Sequence, residues 1–254
     1  MYKNVHKGIT SSFSEFQTSK KGAVCIVSGG LDSVCTAAYL AHDKGYDLFM
    51  LSYLYGQRAE REIQQAKYFA TILGAKEHQI IDITFMKELY GRTNALTFDK
   101  YRLPDHFDYS LVVPIRNAVF ITIATSWAMS IGAKLVALGA HADDFRYPDC
   151  RAEFISSIMD TLNLAEADGI NSGVRQKVTI WTPSSEGMGK GALLQIGYRI
   201  LGDKIFETWS CYTDGKGVNS QDSIHCGRCE SCINRKVAIS KAGIRDKTTY
   251  AKDI

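Results

Sequence analysis

Residues Val27 to Ser33 read V-S-G-G-L-D-S and follow the apolar run Ala23-Val24-Cys25-Ile26. Two adjacent glycines between serines, then an aspartate and another serine, make poor core material but a good cradle for an anion. In a loop that leads from a strand into a helix, backbone N–H groups are unpaired and carry the positive end of the helix dipole. Gly29 and Gly30 remove the Cβ that would hold a phosphate away, and both can take positive φ. Ser28 and Ser33 add hydroxyl donors. Asp32 would repel a bare phosphate, so it is expected to cap the helix or to face a magnesium ion. The lysine of G-x-x-x-x-G-K-[ST] is missing, which excludes the common nucleoside-triphosphate loop. The plainer account is a simple strand–turn–helix junction.

A second constellation lies near the end. Cys211, Cys226, Cys229 and Cys232 form C-x14-C-x2-C-x2-C. Cysteines three apart can converge on one ion through a tight turn, which Gly227 would support, and a distant fourth closes a tetrahedron. Four thiolates with no open position describe a structural zinc site. An iron–sulfur cluster is the rival reading, because C-x2-C-x2-C also occurs in ferredoxins; colour in the purified protein separates the two. Buried apolar cysteines are the third account. His225 could substitute as a ligand, although four cysteines suffice. Cys25, Cys35 and Cys150 read as small packing residues.

These groups need a scaffold, and its class is legible from periodicity. Apolar β-type runs at Ala23–Val27, Asp47–Tyr53, His78–Ile83 and Lys134–Gly139 alternate with helical patterns at Asp32–Lys44, Arg58–Leu73 and Asn117–Ile131. Such alternation predicts an α/β fold, a doubly wound and mainly parallel sheet covered by helices on both faces. From Ala152 onward helices predominate, with one short strand near Lys177–Trp181. We divide the chain into a polar extension over 1–22, a sheet domain over 23–205 and a small helical zinc-binding region over 206–254, with a polar loop at 213–223. The 254 residues, 45% apolar and 22% charged, suit one large domain with an appendage. A net charge of +3 gives no case for direct nucleic-acid binding. The first residues lack a signal peptide's apolar core and no run suggests a membrane span, so a cytoplasmic location is expected. In a reducing compartment the seven cysteines favour metal or catalytic roles over disulfides.

S-G-G-x-D-S resembles the pyrophosphate-binding loop of the PP-loop ATP pyrophosphatases, whose fold is adenine nucleotide alpha hydrolase-like. Further stretches narrow the resemblance: Y-G-Q-R at 55–58, V-P-I-R-N at 113–117, Y-P-D-C-R at 147–151, T-W-S-C-Y at 208–212 and H-C-G-R-C-E-S-C-I-N-R-K at 225–236. In this order, from about residue 23 to 240, they are similar to the 7-cyano-7-deazaguanine synthase family. The resemblance implies an ATP-dependent carbon–nitrogen ligase acting on 7-carboxy-7-deazaguanine and ammonia. The carboxylate attacks the α-phosphate, ammonia converts the acyl-adenylate to an amide, and a second ATP activates the amide oxygen for expulsion, leaving the nitrile of the queuosine and archaeosine pathways.

The resemblance assigns ATP, its pyrophosphate and Mg2+ to Val27, Ser28, Gly29, Gly30, Leu31, Asp32 and Ser33, with Gln57 and Arg58 as further nucleotide contacts or as a solvated helix start. It assigns a structural Zn2+ to the four clustered cysteines and implies a homodimer. Arg116 is expected to neutralise a carboxylate or phosphate through its two-pronged donor face, or else to be a solvent-facing helix-start arginine. Tyr147, Asp149 and Arg151 fall beyond the strand ending near Gly139, where open sheets gather ligands. There Tyr147 can stack on a guanine-like ring and Asp149 can accept from its N–H groups, or Pro148 and Asp149 can be ordinary turn residues. Lys190, after T-P-S-S-E-G-M-G, matches a family lysine able to meet phosphate charge. Asp32, Ser33, Arg116 and Lys190 are thus the expected catalytic set. Two departures stand out: Gly191 and Ala192 replace an acid that often follows the lysine, and Arg146 stands where glycine is common. They leave room for a paralogue that stops at the amide or transfers the deazaguanine to a protein acceptor, as in an antiphage defence operon. A tRNA-modifying sulfur or amine transferase of the same superfamily is a third reading.

Overall fold

The computed structural model describes residues 21–214 and 224–251. The expected extension over 1–22 therefore lies almost wholly outside the described residues, as does most of the 213–223 loop. Gly22 itself already belongs to the first strand.

Five strands make one sheet in the order β3-β2-β1-β4-β5: β1 (Gly22–Ile26), β2 (Asp47–Leu54), β3 (Glu77–Asp82), β4 (Leu135–Ala137) and β5 (Thr179–Trp181). Every pairing is parallel, with Val24 opposite Phe49 on one side and Val136 on the other. Parallel neighbours need a crossover, and helices supply it: α1 (Leu31–His42), α2 (Arg61–Ile72), α3 (Met86–Tyr90), α4 (Arg116–Ile131), α5 (Ala152–Ala165) and α6 (Ala167–Asn171). Two more, α7 (Lys190–Leu201) and α8 (Glu230–Lys241), complete the described helices.

The inner strands β1, β2 and β4 read as continuous apolar runs because both faces are covered, and their side chains sort by parity, whereas the edge strand β3 is mostly polar. Val24, Ile26, Phe49, Leu51 and Val136 enter the core that α4 and α5 cover, whereas Ala23, Cys25, Leu48, Met50 and Ala137 enter the core that α1 and α2 cover. Helices α1, α7 and α8 share a smaller core of Leu31, Cys35, Leu193, Leu194 and Ile239. Gly197 is required there, since a Cβ would sit 2.3 Å from the Cys35 sulfur.

One stretch corrects the sequence expectation. Tyr109–Ile131 is by length and composition apolar enough to cross a membrane. In the fold its helical part is a core helix: Phe120, Ile121, Ala124 and Ala128 are buried against the sheet. The 205/206 boundary falls inside a 3-10 turn, Gly202–Glu207. The C-terminal region is tied to the sheet, since the Trp209 N–H donates to the Gly29 carbonyl at 2.9 Å and the Glu230 N–H to that of Pro104 at 3.0 Å.

Candidate active site and metal centre

The order of the strands reverses direction between β1 and β4, and the segments leaving their carboxyl ends diverge there, the usual ligand crevice of open α/β sheets. A cavity of about 280 Å³ opens at that point. The β1 loop forms its floor. Ser28 and Ser33 bring their hydroxyls within 3.2 Å of each other; the Ser28 N–H donates to Ser33 Oγ at 3.2 Å, and the Gly30 N–H to Ser28 Oγ at the same distance. The hydroxyls thus hold the loop's amides as acceptors, in place of the added donors expected from sequence.

The two glycines differ. Gly29 has φ +88°, and a Cβ on it would lie 2.1 Å from the Glu62 carbonyl oxygen and 2.7 Å from the Ala66 nitrogen. Its task is to let the loop press on α2. Gly30 is extended, with φ −77° and ψ 163°, and lines the cavity itself. Asp32 does not cap α1: Gly30 occupies the N-cap position, no side chain caps the helix, and Asp32 lies one residue inside it. Its carboxylate instead receives the Lys190 ammonium at 2.9 Å. Burial opposes the charge on Asp32, yet Lys190 and then His141 hold its carboxyl below the usual range. Burial likewise works against the Lys190 ammonium, but Asp32 keeps its pKa raised. Lys190 is the first residue of α7, and its N–H donates to Asp143 at 2.7 Å. The exposed lysine that sequence allowed is therefore a partly buried ion pair joining α1 to α7.

The segment after β4 closes the far wall. Gly139 lets it approach α1, because a Cβ there would lie 3.0 Å from the Ser33 backbone. His141 is 4% exposed, its ring nitrogens make no hydrogen bond, and they lie 3.9 Å from Asp32 and 3.5 Å from Asp144. The imidazole thus sits buried between two carboxylates.

On the other side, Arg116 opens α4 immediately after Ile115, a β-branched residue held at φ +48°. That left-handed step is costly, and it turns the chain so that the guanidinium enters the cavity. Arg116 is not the solvated helix-start arginine; it lies over the rings of Tyr55 and Phe120, and its Nε is buried without a partner. Burial works against the guanidinium, but Tyr55 and Asp149 nearby hold its pKa up.

Of the remaining expected residues, Leu31, Gln57, Arg58 and Tyr147 line the cavity, while Val27, Asp149 and Arg151 do not. Val27 is wholly buried in the core. Asp149 turns its carboxylate onto the Asn117 N–H at 3.1 Å, satisfying an orphan donor of α4 and leaving the cavity. Arg151 spends its Nε on the Phe145 carbonyl. Neither Gln57 nor Arg58 begins a helix, which starts at Arg61. The Gln57 amide braces the turn after β2, accepting from the Tyr55 N–H and donating to the Tyr53 carbonyl, and Arg58 donates to the carbonyls of Ala95 and Tyr101. Cys150 lines the cavity and accepts from the Asn117 amide at 3.3 Å, so it is more than a packing residue. Arg146 lies over the rings of Phe107 and Phe145, and Phe107 packs edge-on to Tyr147.

Sequence reasoning missed Glu62, Asp144, Trp209, Ser210, Tyr212, Glu230 and Asn234, all of which line the cavity. Glu62 carried one signal: with Ala66 and Phe69 it falls on the inner stripe of α2, where an acid is out of place.

The four cysteines form one buried cluster whose sulfurs all lie within 4.8 Å of one another. Four thiolates around a single zinc at about 2.3 Å stand about 3.8 Å apart, so small side-chain adjustments close the shell. Gly227 takes φ +73° in the tight turn. N–H groups of Cys226 and Cys229 donate to the sulfurs of Cys211 and Cys226, each at 3.3 Å. His225 is no ligand: its Nε2 accepts from the Ser210 N–H at 3.1 Å, and burial lowers its pKa to about 3. The cluster is a metal-binding arrangement, and it stands directly behind the cavity wall formed by Trp209, Ser210 and Tyr212.

A family model described as Queuosine biosynthesis protein QueC matches residues 22–243. The 7-cyano-7-deazaguanine synthase of Desulfatibacillum aliphaticivorans is 37% identical to this chain over 239 residues, covering 91% of this chain and 97% of that protein. The protein of the same name from Caldicellulosiruptor bescii is 36% identical over 238 residues, covering 91% and 98%. Among solved structures, U34-tRNA thiolase NcsA from Methanococcus maripaludis is similar over 89% of this chain and 69% of its own, with 17% identity and a TM-score of 0.41.

Proposed function

This chain belongs to the family of the queuosine biosynthesis protein QueC, and from that premise we propose that it converts 7-carboxy-7-deazaguanine and ammonia to 7-cyano-7-deazaguanine at the expense of ATP. The observation that carries the reading is convergence: the β1 loop, the Asp32–Lys190 pair and the unpartnered Arg116 Nε all face one cavity. Residues 23–205 then carry the ATP pyrophosphatase domain and 206–254 the metal-binding region.

On this reading the amides of the β1 loop, now held by Ser28 and Ser33, turn to the departing pyrophosphate. Lys190 leaves Asp32 to meet phosphate charge. Arg116 fixes the substrate carboxylate, whose oxygen attacks the α-phosphorus; Tyr55, Phe120 and Tyr147 form aromatic walls for the fused ring. The carbon–oxygen bond is then weakened because AMP is a far better leaving group than hydroxide. The same residues serve the second activation, at the amide oxygen. Magnesium bound with the nucleotide would offset phosphate charge, and Asp32 and Asp144 are the carboxylates placed to hold it. Zinc would be held by Cys211, Cys226, Cys229 and Cys232, and the closeness of the four sulfurs supports a single ion over an iron–sulfur cluster. We further propose a cytoplasmic homodimer; Tyr109, Ile115 and Phe145 are exposed apolar side chains that a second copy would cover.

The test incubates the protein with 7-carboxy-7-deazaguanine, ATP, magnesium and ammonium and identifies products by mass spectrometry. The nitrile with AMP and pyrophosphate is expected. Arrest at the amide, or mass added to another protein, overturns the reading.

A further inference from the structure

Most carboxylates around the cavity are already engaged. Asp32 holds Lys190, Asp144 accepts the His141 N–H at 3.0 Å, and Glu230 accepts from the Tyr212 hydroxyl and the Asn234 amide. Glu62 differs: the residue lines the cavity, is only partly exposed, and its carboxyl has no hydrogen-bond partner among the described residues. An acid in the first turn of a helix ordinarily faces water, where the dipole favours it. Glu62 instead lies on the inner stripe of α2, with its own carbonyl pressed against Gly29. Its backbone thus braces the β1 loop, and the residue shares one cavity with Arg116 and Lys190.

Resting on the reading above, we propose that Glu62 is a catalytic residue of the amide-forming step, taking the proton that ammonia must lose as it attacks the activated carboxyl carbon. The nitrogen lone pair forms the C–N bond. The C–O bond to AMP breaks, and its electron pair leaves on the phosphate oxygen. The nitrogen, now positively charged, gives a proton to the Glu62 carboxylate, which returns it to solvent. Arg116 cannot do this, because a guanidinium stays protonated. Lys190 and Asp32 are committed to the phosphate side.

The surroundings support a carboxyl that exchanges protons near neutrality. Burial pushes Glu62 up to about 8, against the opposing Arg116 of α4, and Asp214 and Cys211 from the segment ahead of α8 add to the rise. The Tyr55 phenol faces it from the loop after β2 and is itself held neutral by burial. A general base works best with a pKa near the working pH, and a well-placed one contributes about 10²–10⁴-fold. A second use of such a carboxylate would be to accept the N–H edge of the substrate ring, and the test separates the two.

Full-length wild type and Glu62→Gln are compared in two halves. Without ammonium, the amount of pyrophosphate released on mixing with ATP and the carboxylate reports adenylation alone. With ammonium, and separately with hydroxylamine, product formation reports the attack. Hydroxylamine is largely unprotonated at neutral pH and needs less help. The expected result is an intact pyrophosphate release, an ammonium-dependent rate lowered about 10²–10⁴-fold, and a much smaller loss with hydroxylamine. Loss of the ammonium-free release in Glu62→Gln alone points to ring recognition and overturns the proposal; so does an equal loss with both nucleophiles. Absence of that release in the wild type would instead refute the reading of the site. Should Glu62→Gln not fold, the wild type decides. Its kcat/KM for ammonium must fall on the acid side by one more proton than ammonium's own ionisation requires, and equal slopes for the two nucleophiles overturn the proposal.

Discussion

Replacing each glycine of the β1 loop with alanine separates packing from ligand binding. At Gly29, φ of +88° costs a residue with a Cβ about 1–2 kcal/mol. The new methyl would also lie 2.1 Å from the Glu62 oxygen and 2.7 Å from the Ala66 nitrogen, both backbone atoms of α2 that cannot rotate away. Overpacking of this kind costs about 1–3 kcal/mol more, so Gly29→Ala should lose about 2–5 kcal/mol, roughly 4–20 °C in Tm. At Gly30 a Cβ would meet Ser28 Oγ at 3.2 Å and the Trp209 carbonyl at 3.4 Å, with ordinary extended φ. Gly30→Ala should therefore stay within about 1 kcal/mol of wild type while its methyl occupies the face where phosphate would bind. The assay is a pair of denaturant titrations with calorimetric ATP binding on each variant. The expected pattern is an unstable Gly29→Ala, and a stable Gly30→Ala with ATP affinity weakened at least tenfold. Equal stabilities, or undiminished ATP binding by Gly30→Ala, would refute the reasoning.

Lys190→Met should uncouple Asp32 from its partner. Because the folded carboxyl is held below its unfolded pKa, the pair stabilises the wild type above about pH 4, and that stability fades as pH falls through the folded value. Wild type and variant should differ at pH 7 by about 1–3 kcal/mol and converge in urea titrations as pH falls below the usual carboxylate range; a constant gap would count against the pair. Arg235→Lys should cost about 2–4 kcal/mol, because one ammonium cannot replace a buried fork that reaches Thr208, Ser210, Thr248 and the carbonyls of Ile205 and Phe206; an unchanged midpoint would refute this. Purified protein should be colourless with one zinc per chain by elemental analysis, and Cys226→Ser should lower both metal content and Tm; brown protein containing iron would decide for a cluster.

Much of the scaffold was legible because local and global preferences agree. Runs such as Val24-Cys25-Ile26 are buried on both faces and read as parallel strands, and the spacing of the cysteines survived folding as one cluster. The cavity was legible where its lining is local in sequence, as at Ser28 and Gly30, which both line it. Less was legible where a side chain's partner lies far along the chain. Asp149 could be read as a base contact or as an ordinary turn residue, because Tyr-Pro-Asp says nothing of the Asn117 backbone N–H that its carboxylate accepts. Of the two roles open to Asp32, cap or magnesium contact, the cap falls because the first helical residue cannot be told from sequence and α1 begins one residue earlier. Arg58 was placed in a helix because nothing local shows that the carbonyls of Ala95 and Tyr101 hold it outside. Glu62 was not singled out because it sits in the charged run Glu60-Arg61-Glu62.

The bond from the Trp209 N–H to Gly29 ties one segment of a growing chain to another made much later. During synthesis the glycine loop emerges before its opposing wall, and under the proposed zinc site that wall is fixed only once Cys226, Cys229 and Cys232 have followed and taken up an ion. Metal supply should thus set the proportion of finished polypeptides that mature into working catalyst, and starved cells should accumulate full-length but idle copies.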